Sequence, residues 1–170
     1  NILKSFNASG LMVTHDPEEA MAICDKVAVM NDGRIHQYDT PSVLIDSPKT
    51  LFVSSFILGN NILKVDLDNK YISFCSGKFK IINSFTSIDF KYISISPKSL
   101  TLEKSNDGEG TILSKEFLGE FFIYKVQLGQ ETLRIRTKTN NIIFIGDKCR
   151  INLLDNSEYF LYPGGVKSNF

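Results

Sequence analysis

His15 is followed by three carboxylates within four residues, in Thr14-His15-Asp16-Pro17-Glu18-Glu19. An imidazole with an ordinary pKa near ~6.5 can hold or pass a proton at neutral pH. Two adjacent carboxylates can be read as an acid/base pair. They can equally be read as helix-start residues, because Asp16 suits an N-cap, Pro17 the first helical position, and Glu18 and Glu19 the positive end of a helix dipole. Glu19 also stands where it would complete a capping box with Asp16. A second constellation, Arg134-Ile-Arg136-Thr-Lys138, places three cations on one face of a strand. With Phe and Tyr nearby, such a face could hold single-stranded nucleic acid, or a small oxyanion, or be solvated. Cys24, Cys75 and Cys149 are far apart and form no CxxC pair, so reduced thiols are expected rather than a metal set.

The elements that must position His15 follow from the apolar pattern. Leu11-Met-Val-Thr-His15 reads as a buried strand delivering the imidazole to the carboxyl edge of a sheet, where α/β folds place their ligands. A helix follows, with Ala20, Ile23, Cys24 and Val27 at the spacing of one face and directed at the sheet. Lys26–Met30 and Arg34–Tyr38 are expected strands joined by the hairpin turn Asn31-Asp32-Gly33. His36 should face solvent from the second of them. Thr40-Pro41 and Ser47-Pro48 should open two short helices, the last carrying an inner stripe of Leu51, Phe52, Ser55 and Phe56 and ending at Gly59.

After Gly59-Asn60-Asn61 the rhythm changes to short strands divided by turn signals. Strands are expected at 62–67, 70–75, 79–83, 91–96, 110–117, 121–128, 131–137, 148–154 and 159–162. Around ~100 residues so patterned imply a small barrel or sandwich. Phe117, Leu118, Phe121, Phe122 and Ile123 should lie mostly in its core, with the excess buried against a second subunit. The fold class is therefore α+β, divided into residues 1–58 and residues 59–170.

The bulk composition narrows the function classes. The 170 residues carry 19 basic and 19 acidic side chains. That balance gives no electrostatic case for nucleic acid or an anionic membrane surface. No apolar run nears the roughly 20 residues needed to span a bilayer, so a cytoplasmic chain is expected, with any membrane role passing through a partner.

From residue 2 to about 58 the chain resembles the C-terminal end of the ATPase domain of ABC transporters. The matching residues are Leu11-Met-Val-Thr-His15-Asp-Pro-Glu-Glu-Ala20, Cys24-Asp-Lys-Val-Ala-Val-Met30, Asn31-Asp-Gly-Arg-Ile35 and Asp39-Thr-Pro41. From about 61 to 163 it resembles the OB-like, TOBE-type β extension of importer ATPases that take up ferric iron, polyamines or maltose. Here the match rests on Ile93-Ser-Ile-Ser-Pro97, Gly110-Thr-Ile, Phe117-Leu-Gly119, Tyr124-Lys-Val-Gln-Leu128, Gly146-Asp-Lys-Cys-Arg-Ile151 and Leu161-Tyr162. Ser96 stands where that family often has Arg.

The resemblance implies that His15 is the switch histidine of the H-loop, directed at the γ-phosphate of ATP. It implies ATP and Mg as cofactors of the complete subunit and transmembrane permease subunits as partners. It also implies a homodimer through the β region and a location at the inner face of the membrane. The short extension favours the ferric-iron type. No G-x-x-x-x-G-K-[ST] loop is present. The family's signature motif, catalytic glutamate and glutamine loop would lie before residue 1, so this polypeptide alone is expected neither to hold nor to hydrolyse ATP. Residues 1–58 are then expected to be mobile or swapped onto another chain, because strand 11–15 would have unpaired edges. The alternative reading is a free-standing OB-like domain that binds nucleic acid or a small anion.

Overall fold

The structure is a computed structural model and describes residues 9–68, 71–74, 77–80, 90–138, 143–154, 157 and 159–163. Helix α1 (Pro17–Ile23) starts the described secondary structure, followed by the hairpin of β1 (Val27–Asn31) and β2 (Arg34–Asp39). Both turn residues, Asp32 at φ 47° and Gly33 at φ 70°, lie in the left-handed region that a two-residue hairpin turn demands. Helices α2 (Pro41–Asp46) and α3 (Leu51–Leu58) come next. Gly59 closes α3 at φ 63°, its N–H reaching Ser55 O as expected of a glycine stop.

The rest is antiparallel β structure. Strands β3 (Asn61–Lys64), β7 (Phe90–Ile95) and β13 (Tyr159–Pro163) form one sheet with β7 central. Strands β4 (Asp66–Asp68), β5 (Tyr71–Phe74) and β6 (Gly77–Lys80) form another. The largest sheet contains β8 (Leu100–Lys104), β9 (Gly110–Phe117), β10 (Phe122–Leu128), β11 (Glu131–Thr137) and β12 (Lys148–Leu153), in the order β11-β10-β9-β12-β8. Strand β8 is absent from the sequence expectation. The 3-10 turn Pro97–Ser99, capped by the Ser96 hydroxyl on Lys98 N, leads into it without a glycine to mark the break.

One apolar core serves two of these sheets. Ile93 and Ile95 of β7 meet Leu102, Ile112, Tyr124, Val126, Leu133, Ile135 and Ile151, all buried. The alternation along β11 shows why: Leu133 and Ile135 point inward, while Arg134 is exposed between them. At the sheet centre Gly110 leaves room for β12, because a Cβ there would sit 2.8 Å from Val126 Cγ1 and 2.9 Å from Cys149 Sγ. Among the described residues the strand pairing does not close into a barrel: β8 and β11 remain the two edges of the five-stranded sheet.

A smaller core under α3 holds Val29, Leu44 and Val53. The two parts are joined by polar bonds. Ser54 Oγ and Ser94 Oγ lie 2.6 Å apart, and Asn60 Nδ2 donates to both. Tyr162 donates its phenolic proton to Pro48 O at 2.8 Å. Asn61 bonds the backbone of Arg134 in both directions, each at 2.8 Å, so a side-chain amide ties β3 to β11.

Several expectations need correction. Residues 11–14 form no strand, and Leu11 and Val13 are 94% and 90% exposed. A strand buried on both faces needs neighbours, and no described strand pairs with this segment. Ile23 is accordingly 67% exposed and α1 buries none of its residues. Ser47-Pro48 does not open a helix; α3 begins at Leu51, with Thr50 Oγ1 accepting from Val53 N. Its buried residues are Leu51, Val53 and Ser54, while Phe56 is exposed, because the helix packs against both β2 and β7 rather than along one stripe.

Most of the cluster around Gly119 is not core either, although Phe122 packs against it. Phe117 and Leu118 are exposed, and Phe121, Phe122 and Ile123 are half-buried. The β9–β10 hairpin runs past its cover, since β12 pairs with β9 only at Gly110 and Thr111. The expected strand at 79–83 lies partly outside the described residues, as does Cys75.

Candidate functional site

The segment around His15 is organised by short local bonds. Asp16 takes an extended conformation and its Oδ1 accepts from Glu18 N at 2.8 Å and Glu19 N at 3.4 Å, which makes it the N-cap of α1. The expected capping box does not form. Thr14 Oγ1 accepts from Asp16 N at 3.0 Å and donates to Glu19 Oε2 at 2.9 Å, so Thr14 takes the place that the N-cap backbone would have had. Thr14 carries the only signal that could have revealed this, a hydroxyl two residues before the cap.

His15 stands in the bend between these groups, with its side chain exposed. Glu18 and Glu19 are exposed too, and Glu19 is spent on Thr14. The structure therefore brings His15 next to a helix start but gathers no acid/base pair there. His36 is not a solvent-facing residue: it is half-buried, its Nδ1 3.3 Å from Thr50 Oγ1 and its ring 4.9 Å from that of Phe52.

The second constellation looks different in space. Arg136 is half-buried, its guanidinium 3.4 Å from the centre of the Phe121 ring. It lines an open groove of about 420 Å³ with Lys98, Leu100, Thr101, Phe121, Lys138 and Leu154. The groove runs along the seam between the edge strands β8 and β11. Lys98 lies in the turn before the missed strand, which is why only the fold brings it to Arg136 and Lys138.

Other charged groups serve the frame. A hydrogen bond from Gln37, then one from Lys49, holds the Asp39 carboxyl below its ordinary range. A hydrogen bond from Lys104 at 2.7 Å, then the Phe144 amide, does the same for Asp147. Burial pushes the Cys149 thiol up to about 11, with Glu109 adding to the effect. Cys149 is thus an inert core thiol, whereas Cys24 is half-buried. Among the described residues no three His, Cys, Asp or Glu side chains gather as a metal site, and no helix is long and apolar enough to cross a membrane.

The β8–β11 groove is remote in sequence from His15, and the sequence carries no G-x-x-x-x-G-K-[ST] loop.

Comparison with known proteins decides the relationship. The chain is 31% identical over 163 residues to the spermidine/putrescine import ATP-binding protein PotA of Mesoplasma florum, covering 89% of this chain and 45% of that one. It is 34% identical over 125 residues to the Fe(3+) ions import ATP-binding protein FbpC of Fusobacterium nucleatum, covering 69% and 33%. A 64-residue stretch is 47% identical to the PotA of Bacillus thuringiensis. Its homologues are ATP-binding subunits of ABC importers, and it matches their C-terminal part. The chain spans less than half the length of these relatives. No family model matches it.

Proposed function

We propose that the chain is the C-terminal module of an ATP-hydrolysing importer subunit, made of the H-loop end of the ATPase domain (1–58) and a TOBE-type regulatory and dimerising extension (59–170). The observation that carries this reading is the 31% identity that runs across 163 residues, through both parts. The exposed apolar side chains of Leu11, Val13, Ile23, Met30 and Ile35 support it, since they are what an ATPase domain would cover with its own preceding strands. The relatives are longer than this chain, which provides for such a cover.

In the complete subunit His15 would face the terminal phosphate of ATP, with Mg held by residues outside this chain. Asp16 and Thr14 act as positioning residues, because their bonds fix the bend that carries the imidazole. Permease subunits at the inner face of the membrane would receive the work. Of the two solute classes named among the relatives, polyamine rests on PotA and ferric iron on FbpC and the short extension. The exposed Phe117 and Leu118 at the tip of the β9–β10 hairpin are the natural place for a second β region to pack.

The test is ATP turnover by the full-length subunit with its permease. His15→Ala should abolish turnover while leaving nucleotide binding intact. Equal turnover with alanine at that position would overturn the role of His15. Light scattering that finds the full-length subunit monomeric at tens of micromolar would overturn the dimer.

A further inference from the structure

We infer that the groove between β8 and β11 is a binding site for a small phosphate-bearing molecule. Its charge is one-sided: Lys98, Arg136 and Lys138 line it, and no acidic residue does. Among the described residues none of the three cations has a carboxylate partner, although the chain as a whole is neutral. Three unneutralised cations around one concavity repel one another, and an anion seated among them relieves that repulsion.

The groove is also built for shape. Its lining includes two apolar residues, Leu100, which is buried, and Leu154, which is exposed. The Arg136 guanidinium carbon lies 3.4 Å from the centre of the Phe121 ring, which anchors the group at the groove, and a guanidinium is the side chain whose forked N–H groups suit bidentate phosphate binding. The volume of about 420 Å³ falls in the range of small-molecule sites. Strand pairing does not fill this seam, because β8 and β11 are sheet edges here. A ligand bridging Lys98 on one edge to Arg136 and Lys138 on the other would cross-link the two edges. This inference does not depend on the importer reading, since it uses only residues of the β region.

The experiment is an amide-shift titration of the 170-residue chain with three probes: sodium phenyl phosphate, inorganic pyrophosphate and phenol. Saturable shifts confined to 98–101, 121, 134–138 and 154, with a dissociation constant of about 1 mM or tighter, are expected for at least one phosphate probe. Phenol should produce none. Tighter binding of phenyl phosphate assigns the site to an organic phosphate, and tighter binding of pyrophosphate to a free polyphosphate. Arg136→Gln should weaken binding about tenfold. If loss of the Phe121 stack disturbs the fold, Lys138→Gln, whose side chain is exposed, should still weaken it and make it less sensitive to salt. No saturation with either phosphate probe, shifts elsewhere in the chain, equal binding of phenol, or unchanged affinity in both variants would overturn the assignment.

Discussion

Helix α1 and strand β11 each set apolar side chains among charged ones, yet they fare differently. In β11 Leu133 and Ile135 are fully buried, and the strand pairs with β10 along seven residues. In α1 no residue is buried, and Ile23 faces solvent. Both patterns describe an element with an inner face. Among the described residues only β11 meets the surface that its inner face was patterned for. Local signals such as the Asp16 cap are satisfied in either case, because they need only neighbours in sequence. Burial needs distant partners, and it separates the two regions.

The contrast can be broken by substitution. Ile135→Ala removes a side chain from the shared core and should cost about 2–5 kcal/mol in urea unfolding. A loss below about 1 kcal/mol would mean that the core is not packed as described. Titration gives the next effect. Burial raises the folded Cys149 thiol from 9.0 to about 11, so its contribution to stability is full below pH 9. As pH rises from about 9 to 11 the unfolded chain loses that proton and the folded chain keeps it, so stability falls by up to ~1.4 kcal/mol per pH unit. Cys149→Ala should flatten that slope, and a slope unchanged by the substitution would assign it elsewhere.

The polar seam comes third. Ser94→Ala leaves Ser54 and Asn60 without a shared buried partner and should cost about 1–3 kcal/mol, with no change in the β9–β10 amide shifts. The smallest effect is expected at the open end. Leu11→Ser should change stability by less than about 0.5 kcal/mol, and amides of residues 11–23 should exchange far faster than those of 124–135. Strong protection of residues 11–23 in a monomer would show that this segment has found a cover within the chain.

Much of the fold was legible wherever a local rule sufficed. Asp32-Gly33 fixed the β1–β2 hairpin, Gly59 ended α3, and alternation placed β9, β10 and β11 within a residue of their observed bounds. Strand β8 was missed because Leu100-Thr-Leu-Glu-Lys104 follows a proline turn and has no glycine or asparagine ahead of it. The start of α3 was misread because two Ser/Thr-initiated starts stand three residues apart, and the burial of Leu51 and Val53 favoured Thr50 as the cap. His15 and its cap were legible as a unit, yet the bond from Thr14 to Glu19 was not, since two donors, the Thr14 hydroxyl and the Asp16 N–H, compete for that carboxylate.

The sequence by itself determined the caps, the hairpin turns, the alternation of the long strands and the kinship of the His15 segment with importer ATPases. These depend on backbone sterics and on bonds spanning a few residues. Tertiary structure alone decided which apolar faces are covered, that Asn61 clasps β11, and that Lys98 stands beside Arg136 and Lys138 across an open seam. Those outcomes depend on the three-dimensional approach of segments far apart in sequence, as Asn61 and Arg134 are at 73 residues, where close packing and the cost of unpaired polar groups select one arrangement that no local pattern encodes.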